Sequence, residues 1–186
     1  KNRQADEVNE GRLAELPGEP RLFKAVDYAS NPQDPSIKKA FRGLVVPQEL
    51  ALKVGARVML LKNLRLPSQC KVLRNGRRQT PLVNGTVGTV VDFDGEVPVV
   101  EFGMNYRRRV GPEDFSGSVG FEGAYCRRQL PLKLAWALTV HKSQGFTLDR
   151  GVVDLGEIFE PSQVYVALSR FRRLEDVHIA SLPSDE

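Results

Sequence analysis

The sequence predicts an α/β protein: a parallel-sheet domain interrupted by a small antiparallel β insert. One observation is the alternation of elements after residue 150, where Gly151–Leu155 (GVVDL) and Val177–Ala180 (VHIA) read as apolar strands on either side of a helix. That helix, Pro161–Arg172, places Pro161 in its first turn and repeats apolar residues at Val164, Ala167, Leu168 and Phe171. Strands joined by helices imply parallel pairing, and such sheets collect ligands at the carboxyl ends of their strands. A second observation is the different texture of Leu82–Tyr125. There Thr86–Phe93, Val97–Phe102 and Arg107–Val110 read as strands separated by Asp94-Gly95 and other glycine turns, spaced as in a small barrel. Asn84-Gly85 and Gly88 supply the turn and bulge that begin the insert.

The remaining elements follow in order. Gln4–Leu16 predicts a helix that stops at Pro17-Gly18. Arg21–Val26 is read as a strand, and Tyr28–Phe41 as a surface connection with a short helix. Pro47–Leu52 leads into Arg57–Leu61 (RVMLL), an apolar run short enough for a buried strand. Lys62–Pro81 is polar and basic, with Asn75-Gly76 as a turn signal, and is expected to be an exposed loop. Leu130–Leu134 is extended, and Ala135–Gln144 is expected to be a short helix stopped by Gly145. The expected organisation is residues 1–81 and 125–186 as two parts of the parent domain, with 82–124 as the insert.

Composition excludes several classes. With 186 residues, 41% hydrophobic and 27% charged, the chain belongs among globular proteins. No apolar run approaches the roughly 18 residues of a membrane span, so no membrane partner is expected and the chain is placed inside the cell. Cys70 and Cys126 are too few for a disulfide framework and lack metal-ligand spacing, so both are read as ordinary thiols and no metal site is assigned. The net charge of +4 is unevenly spread. Leu50–Val91 contains no Asp or Glu but carries Lys53, Arg57, Lys62, Arg65, Lys71, Arg74, Arg77 and Arg78. A second acid-free window, Ala124–Leu148, carries Arg127, Arg128, Lys133 and Lys142. Taken together, the windows suit a phosphate backbone, although a single arginine in either is better explained as a solvated side chain.

Two segments carry the chemistry: LPLKLAWALTVHKSQGFTLD from Leu130, and PSQVYVALSRFR from Pro161. They resemble motifs V and VI of the petite-integration-frequency (PIF) helicases, superfamily-one motors related to the RecD group. LKVGARVMLLKN at Leu52–Asn63, LVNGTVGTV at Leu82–Val90 and NRQADEVNEGRLAEL at Asn2–Leu16 are also similar to PIF segments, so the likeness spans nearly the whole chain. Gly-Phe-Thr at 145–147 is closer to the PIF branch than to RecD proteins.

The resemblance implies a second RecA-like motor domain interrupted by a Src-homology-type (SH3-like) barrel. Arg170 takes the position of the motif VI arginine that reaches the γ-phosphate. A guanidinium suits that role because it stays charged and forks onto phosphate oxygens. Gln144 and Gly145 resemble residues of the nucleotide cleft. Thr139, His141 and Lys142 resemble the part facing single-stranded DNA, and Asn63 and Asn84 match family positions near the DNA path. Trp136, among Leu134, Ala135 and Leu138, is read as a core residue.

A phosphate loop of the form G-x-x-x-x-G-K-[ST] occurs nowhere in the chain. ATP and Mg2+ are therefore expected to be held mainly by an N-terminal RecA-like domain of the same protein, and the chain alone is expected to be inactive as an ATPase. The implied function is a 5′-to-3′ ATP-dependent DNA helicase with single-stranded DNA as partner, polarity coming from the family alone. It would act in the nucleus or mitochondrion of a eukaryote, or in bacterial cytoplasm. The competing readings are a non-enzymatic nucleic-acid- or partner-binding module and a RecD-type subunit.

Overall fold

A computed structural model describes residues 2–64, 82–103, 106–120, 123–140, 143, 148, 150–156 and 161–182. Contacts divide the chain into two compact units, Lys1–Val8 with Ala137–Glu186, and Asn9–Trp136. The class is mixed α/β.

In the larger unit, helix α1 (Asn2–Glu15) contributes its C-terminal turns, with Leu13 buried and Leu16 packed against the core. Gly18 then takes a φ of +82°, a left-handed conformation that turns the chain out of the helix. The next strands are β1 (Arg21–Lys24) and β2 (Val26–Ala29), followed by helix α2 (Pro35–Gly43). Asp34 caps α2 by accepting the Ser36 N–H at 2.7 Å, and Pro35 occupies the first turn, where its missing N–H costs nothing. Strands β3 (Glu49–Leu52) and β4 (Arg57–Leu60) precede β5 (Val87–Asp94), β6 (Val97–Phe102) and β7 (Tyr106–Arg109). Then come β8 (Glu113–Val119), β9 (Gly123–Gln129) and β10 (Leu132–Leu134).

These strands form three sheets. β1 pairs with β3, β2 and β8 flank β9, and a five-stranded sheet runs in the order β10-β4-β5-β6-β7, all of it antiparallel. Alternate residues of β5 and β6, Val90, Val100 and Phe102, join Val58, Leu60, Leu130 and Leu132 in one apolar core. Trp136 packs against this core, and its backbone N–H donates to Asn9 Oδ1 at 3.0 Å. β4 and β10 cover runs that the sequence assigns to the parent domain on either side of the insert. They hydrogen-bond into the same sheet as β5–β7, because β4 meets β5 antiparallel with Met59 opposite Val87.

Strand β9 carries two buried polar side chains, Arg127 and Gln129. Arg127 forks onto Asp27, Nε to Oδ1 and Nη2 to Oδ2, both at 2.7 Å, and Nη1 donates to the Val46 carbonyl at 3.2 Å. Gln129 Nε2 donates to the Phe23 carbonyl at 3.0 Å, while its Oε1 accepts the Leu130 N–H at 2.8 Å. Cys126 is a free thiol; Cys70 lies outside the described residues.

In the smaller unit, β11 (Gly151–Asp154) pairs in parallel with β12 (Val177–Ser181). Helix α3 (Pro161–Leu168) and a 3₁₀ turn (Leu174–Asp176) connect them. Val153, Leu155 and Ala167 form the core, with Val140, Val164, Phe171 and Val177 packed on it. α3 is shorter than its periodicity suggested: Ser169 and Arg170 form a turn, and Phe171 makes an isolated parallel bridge to Leu148. The helix expected over 135–144 is absent from described residues 135–140, where the chain is irregular. The basic loop is outside the described residues over 65–81, as is its Asn75-Gly76 turn.

Gly88 is the position where β5 can least accept a side chain. A Cβ there would stand 2.7 Å from both Phe102 Cδ1 and Val100 Cγ1 and 2.8 Å from the Glu101 carbonyl oxygen. Gly88→Ala is expected to destabilise the protein by about 1–3 kcal/mol, the usual cost of overpacking, whereas Gly111→Ala, with nothing within 4 Å, costs far less. Chemical denaturation of both variants checks this, and equal midpoints would exclude the packing account.

Candidate nucleotide and nucleic-acid site

Arg170 follows the end of α3. Its backbone carbonyl accepts the Leu148 N–H at 2.7 Å, so the chain leaving the first motif is fastened to the end of the second. Phe171 reinforces the junction: its ring lies where a Cβ on Gly151 would approach Cε1 to 2.9 Å. The Arg170 side chain is half-buried and has no carboxylate partner among the described residues. Nε donates to the Val166 carbonyl at 2.9 Å and Nη2 to Ser169 Oγ at 2.8 Å. A guanidinium beside the last carbonyls of a helix sits at the negative end of the helix dipole.

Thr139 lies in the same unit. Its carbonyl accepts the Ser143 N–H at 3.0 Å, and Ser143, almost wholly buried, donates its hydroxyl to the Val140 carbonyl at 2.7 Å. Ser143 thus bonds back to both Thr139 and Val140. His141, Lys142, Gln144 and Gly145 fall outside the described residues. Ser143 was missed by sequence reasoning, although its place between Lys142 and Gln144 was the available signal.

In the larger unit, Asn63 and Asn84 come together. The Asn84 N–H donates to Asn63 Oδ1 at 2.7 Å, and the two flank the bridge between Leu64 and Leu82. Gly85, with φ +90°, completes this turn, and its N–H returns to the Leu60 carbonyl at 2.9 Å. Both asparagines are exposed. Asn63 Oδ1 holds the Asn84 backbone, so at least one of its polar atoms has a structural role.

The cations of the acid-free windows are partly consumed by distant groups. Lys62 lies 3.4 Å from Glu113 and donates to the Asp114 carbonyl at 2.9 Å, Arg128 pairs with Asp114 at 2.9 Å, and Lys53 donates to the Leu16 carbonyl at 2.8 Å. On β7 the arginine row divides as a strand requires. Arg107 and Arg109 are exposed and paired with Glu101 and Asp94, and Arg108 is half-buried between them.

At the carboxyl end of the parallel pair, Asp154 Oδ1 accepts the Ser181 hydroxyl and, at 3.0 Å, the Gly156 N–H. No helix among the described residues is long and apolar enough to cross a membrane.

The chain is mixed α/β, with the Arg170 guanidinium at the end of α3 and its backbone tied to Leu148 on the amino-terminal side of β11. No protein-family model matches the chain. It is similar to the ATP-dependent DNA helicase PIF1 of Xenopus laevis, 40% identical over 177 residues, and of Homo sapiens, 40% identical over 175 residues. Each match covers 92% of this chain and 25% of the relative. The Pif1 helicase of Bdellovibrio bacteriovorus is 34% identical over 94% of this chain and 36% of its own length. The crystal structure of Pif1 from Candida albicans superposes over 100% of this chain and 44% of its own, with a TM-score of 0.77 and 31% identity. Bacteroides Pif1 bound to single-stranded DNA gives a TM-score of 0.65 and 27% identity over 99% of this chain and 40% of its own. The chain is similar to Pif1 helicases over more than nine-tenths of its own length, and it spans about a quarter of the length of its vertebrate relatives.

The Ser181 hydroxyl first, and the Gly156 N–H second, hold the Asp154 carboxyl below its ordinary 3.8, outweighing desolvation. A depressed carboxyl contributes stability above its unfolded value and loses it as pH falls through the lower folded one. The unfolding midpoint of Asp154→Asn is therefore expected below that of the unaltered chain at neutral pH, with the gap closing as pH drops beneath 3.8. Thermal scans across that range test it, and a gap that widens in acid contradicts it.

Proposed function

We propose that this chain is the second RecA-like motor domain, with an SH3-like β insert, of an ATP-dependent 5′-to-3′ DNA helicase. The observation that carries the proposal is the half-buried guanidinium of Arg170, without a carboxylate partner among the described residues and fastened through its own backbone to the end of the first motif. The relatives' function and their single-stranded DNA complex support the same reading.

In this proposal Arg170 completes a nucleotide cleft whose phosphate-loop wall belongs to the rest of the protein. Charge that accumulates on phosphate oxygens during transfer is offset by the forked N–H donors of the guanidinium, an effect worth about 10³ to 10⁵ in rate, or roughly 4–7 kcal/mol. Gln144 and Gly145 are assigned to the cleft, and Thr139, His141 and Lys142 to the DNA strand. The hydrogen bond from the Leu148 N–H to the Arg170 carbonyl ties the segment that carries the assigned DNA residues to the assigned phosphate-facing arginine. Asn63 and Asn84 are assigned to the DNA path. The ligands of Mg2+ are assigned, with the phosphate loop, to the rest of the protein. The proposal places the chain wherever a cell keeps DNA: nucleus or mitochondrion, or bacterial cytoplasm.

Replacing Arg170 with Ala in the complete protein is expected to lower DNA-stimulated ATP hydrolysis by about 10³-fold or more while single-stranded DNA binding stays near its original strength. Retained hydrolysis with weakened DNA binding would instead favour a non-enzymatic binding module. Affinity for single-stranded DNA should fall linearly on a log–log plot against salt, by about 0.7 in slope per phosphate neutralised; a flat titration removes the backbone-contact account.

A further inference from the structure

We propose that Ser169 is a positioning residue that selects which edge of the Arg170 guanidinium is offered to phosphate. The inference rests on the reading of Arg170 as the phosphate-facing arginine.

A guanidinium has five N–H donors in one plane, grouped into two edges that can each grip a pair of oxygens. One edge combines Nε with the nearer hydrogen of Nη2; the other combines Nη1 with the outer hydrogen of Nη2. Here the first edge is consumed internally, Nε by the Val166 carbonyl at 2.9 Å and Nη2 by Ser169 Oγ at 2.8 Å. The second edge has no partner among the described residues. Ser169 is itself held in place, because its hydroxyl hydrogen goes to the same Val166 carbonyl at 3.1 Å and its N–H to the Tyr165 carbonyl at 2.9 Å. Its oxygen lone pair is thereby aimed at the guanidinium. Val166 O, Ser169 Oγ and the guanidinium form a closed triangle at the end of α3.

A hydroxyl that served only to finish the helix would need the bond to Val166 and nothing more. The bond from Arg170 is the additional feature. It restrains the side chain's last torsions and presents the outer edge for a forked contact. Alanine leaves Nε bonded but frees Nη2, so the plane can rotate and the inner edge can compete for phosphate. Threonine keeps an oxygen at the same place.

The test uses the complete protein and steady-state ATP hydrolysis at saturating single-stranded DNA. Ser169→Ala is expected to lower kcat by about tenfold, the worth of roughly one charge-assisted hydrogen bond, with KM for ATP, DNA affinity and melting midpoint unchanged. Ser169→Thr is expected to recover most of that rate. In an Arg170→Ala background, Ser169→Ala is expected to cost nothing further, since residues acting through one another are not additive. The inference is overturned by an unaltered kcat in Ser169→Ala, by Thr as impaired as Ala, or by an undiminished loss in the double variant. A loss of rate that accompanies a lowered melting midpoint also overturns it, because it marks a merely structural role. Arg170→Ala hydrolysing ATP normally sinks the underlying reading instead, whatever Ser169 does.

Discussion

The hydrogen bond from the Leu148 N–H to the Arg170 carbonyl, 2.7 Å long, joins segments separated by more than twenty residues of chain. Strand β11, the residues after it and α3 all lie between the two ends it closes. The parallel register of β11 on β12 then fixes the far side of the same unit, Gly151 opposite Val177 and Val153 opposite Ile179. Phe171 links the two constraints, since it bridges to Leu148 while its ring covers Gly151. A larger residue at 151 would push the ring away and carry the end of α3 with it. The position of Arg170 is therefore set by backbone and ring packing before its side chain makes any contact.

The larger unit reaches its order by different means. β9 runs beside β2 and β8, and two of its residues turn polar side chains into a nearly dry interior. Burying Arg127 costs several kcal/mol in desolvation unless its donors are matched. The fork to Asp27, the Val46 carbonyl and the face of Phe41 at 5.4 Å match them. Gln129 closes carbonyls from three neighbouring residues, Phe23, Pro47 and Gln48. Such pairing adds specificity more than net stability, because an alternative register leaves a buried cation without its acid. It also changes how the acid-free windows are to be interpreted. The acids that neutralise Arg127, Arg128 and Lys62 come from remote strands, so a one-sign stretch of sequence becomes a mixed surface once folded.

What the sequence disclosed follows the strength of local signals. α1, β5, β6, β7, β11 and β12 were legible because apolar periodicity and glycine turns mark them within a few residues. β8 and β9 were not, because EDFSGSV and GAYCRRQ contain little β-branched alternation and owe their extended form to pairing with each other. The helix expected from Ala135 is absent over described residues 135–140, which follow directly on the end of β10 at Leu134. α3 was overextended because Phe171 continues the i, i+7 pattern yet buries its ring through a β-bridge. Arg170 could be named from its motif and Asn63 and Asn84 from theirs. The contact between the two asparagines, twenty-one positions apart, needed coordinates.

Ser169 illustrates why site residues escape linear reading. Serine after a helix has an adequate local explanation in the bond to a carbonyl three residues back, and nothing in VALSRFR distinguishes that use from a second one. The second use appears only when the arginine folds back over the turn. An arginine side chain forfeits about 2 kcal/mol of rotamer freedom when fixed, a penalty that falls on the transition state if the side chain is loose beforehand. Restraining two donors in the resting protein moves part of that loss into folding, where the packing of α3 against Val153 and Leu155 offsets it. The small core thus supplies the fixed platform on which the guanidinium is restrained, at the last turn of a helix only eight residues long.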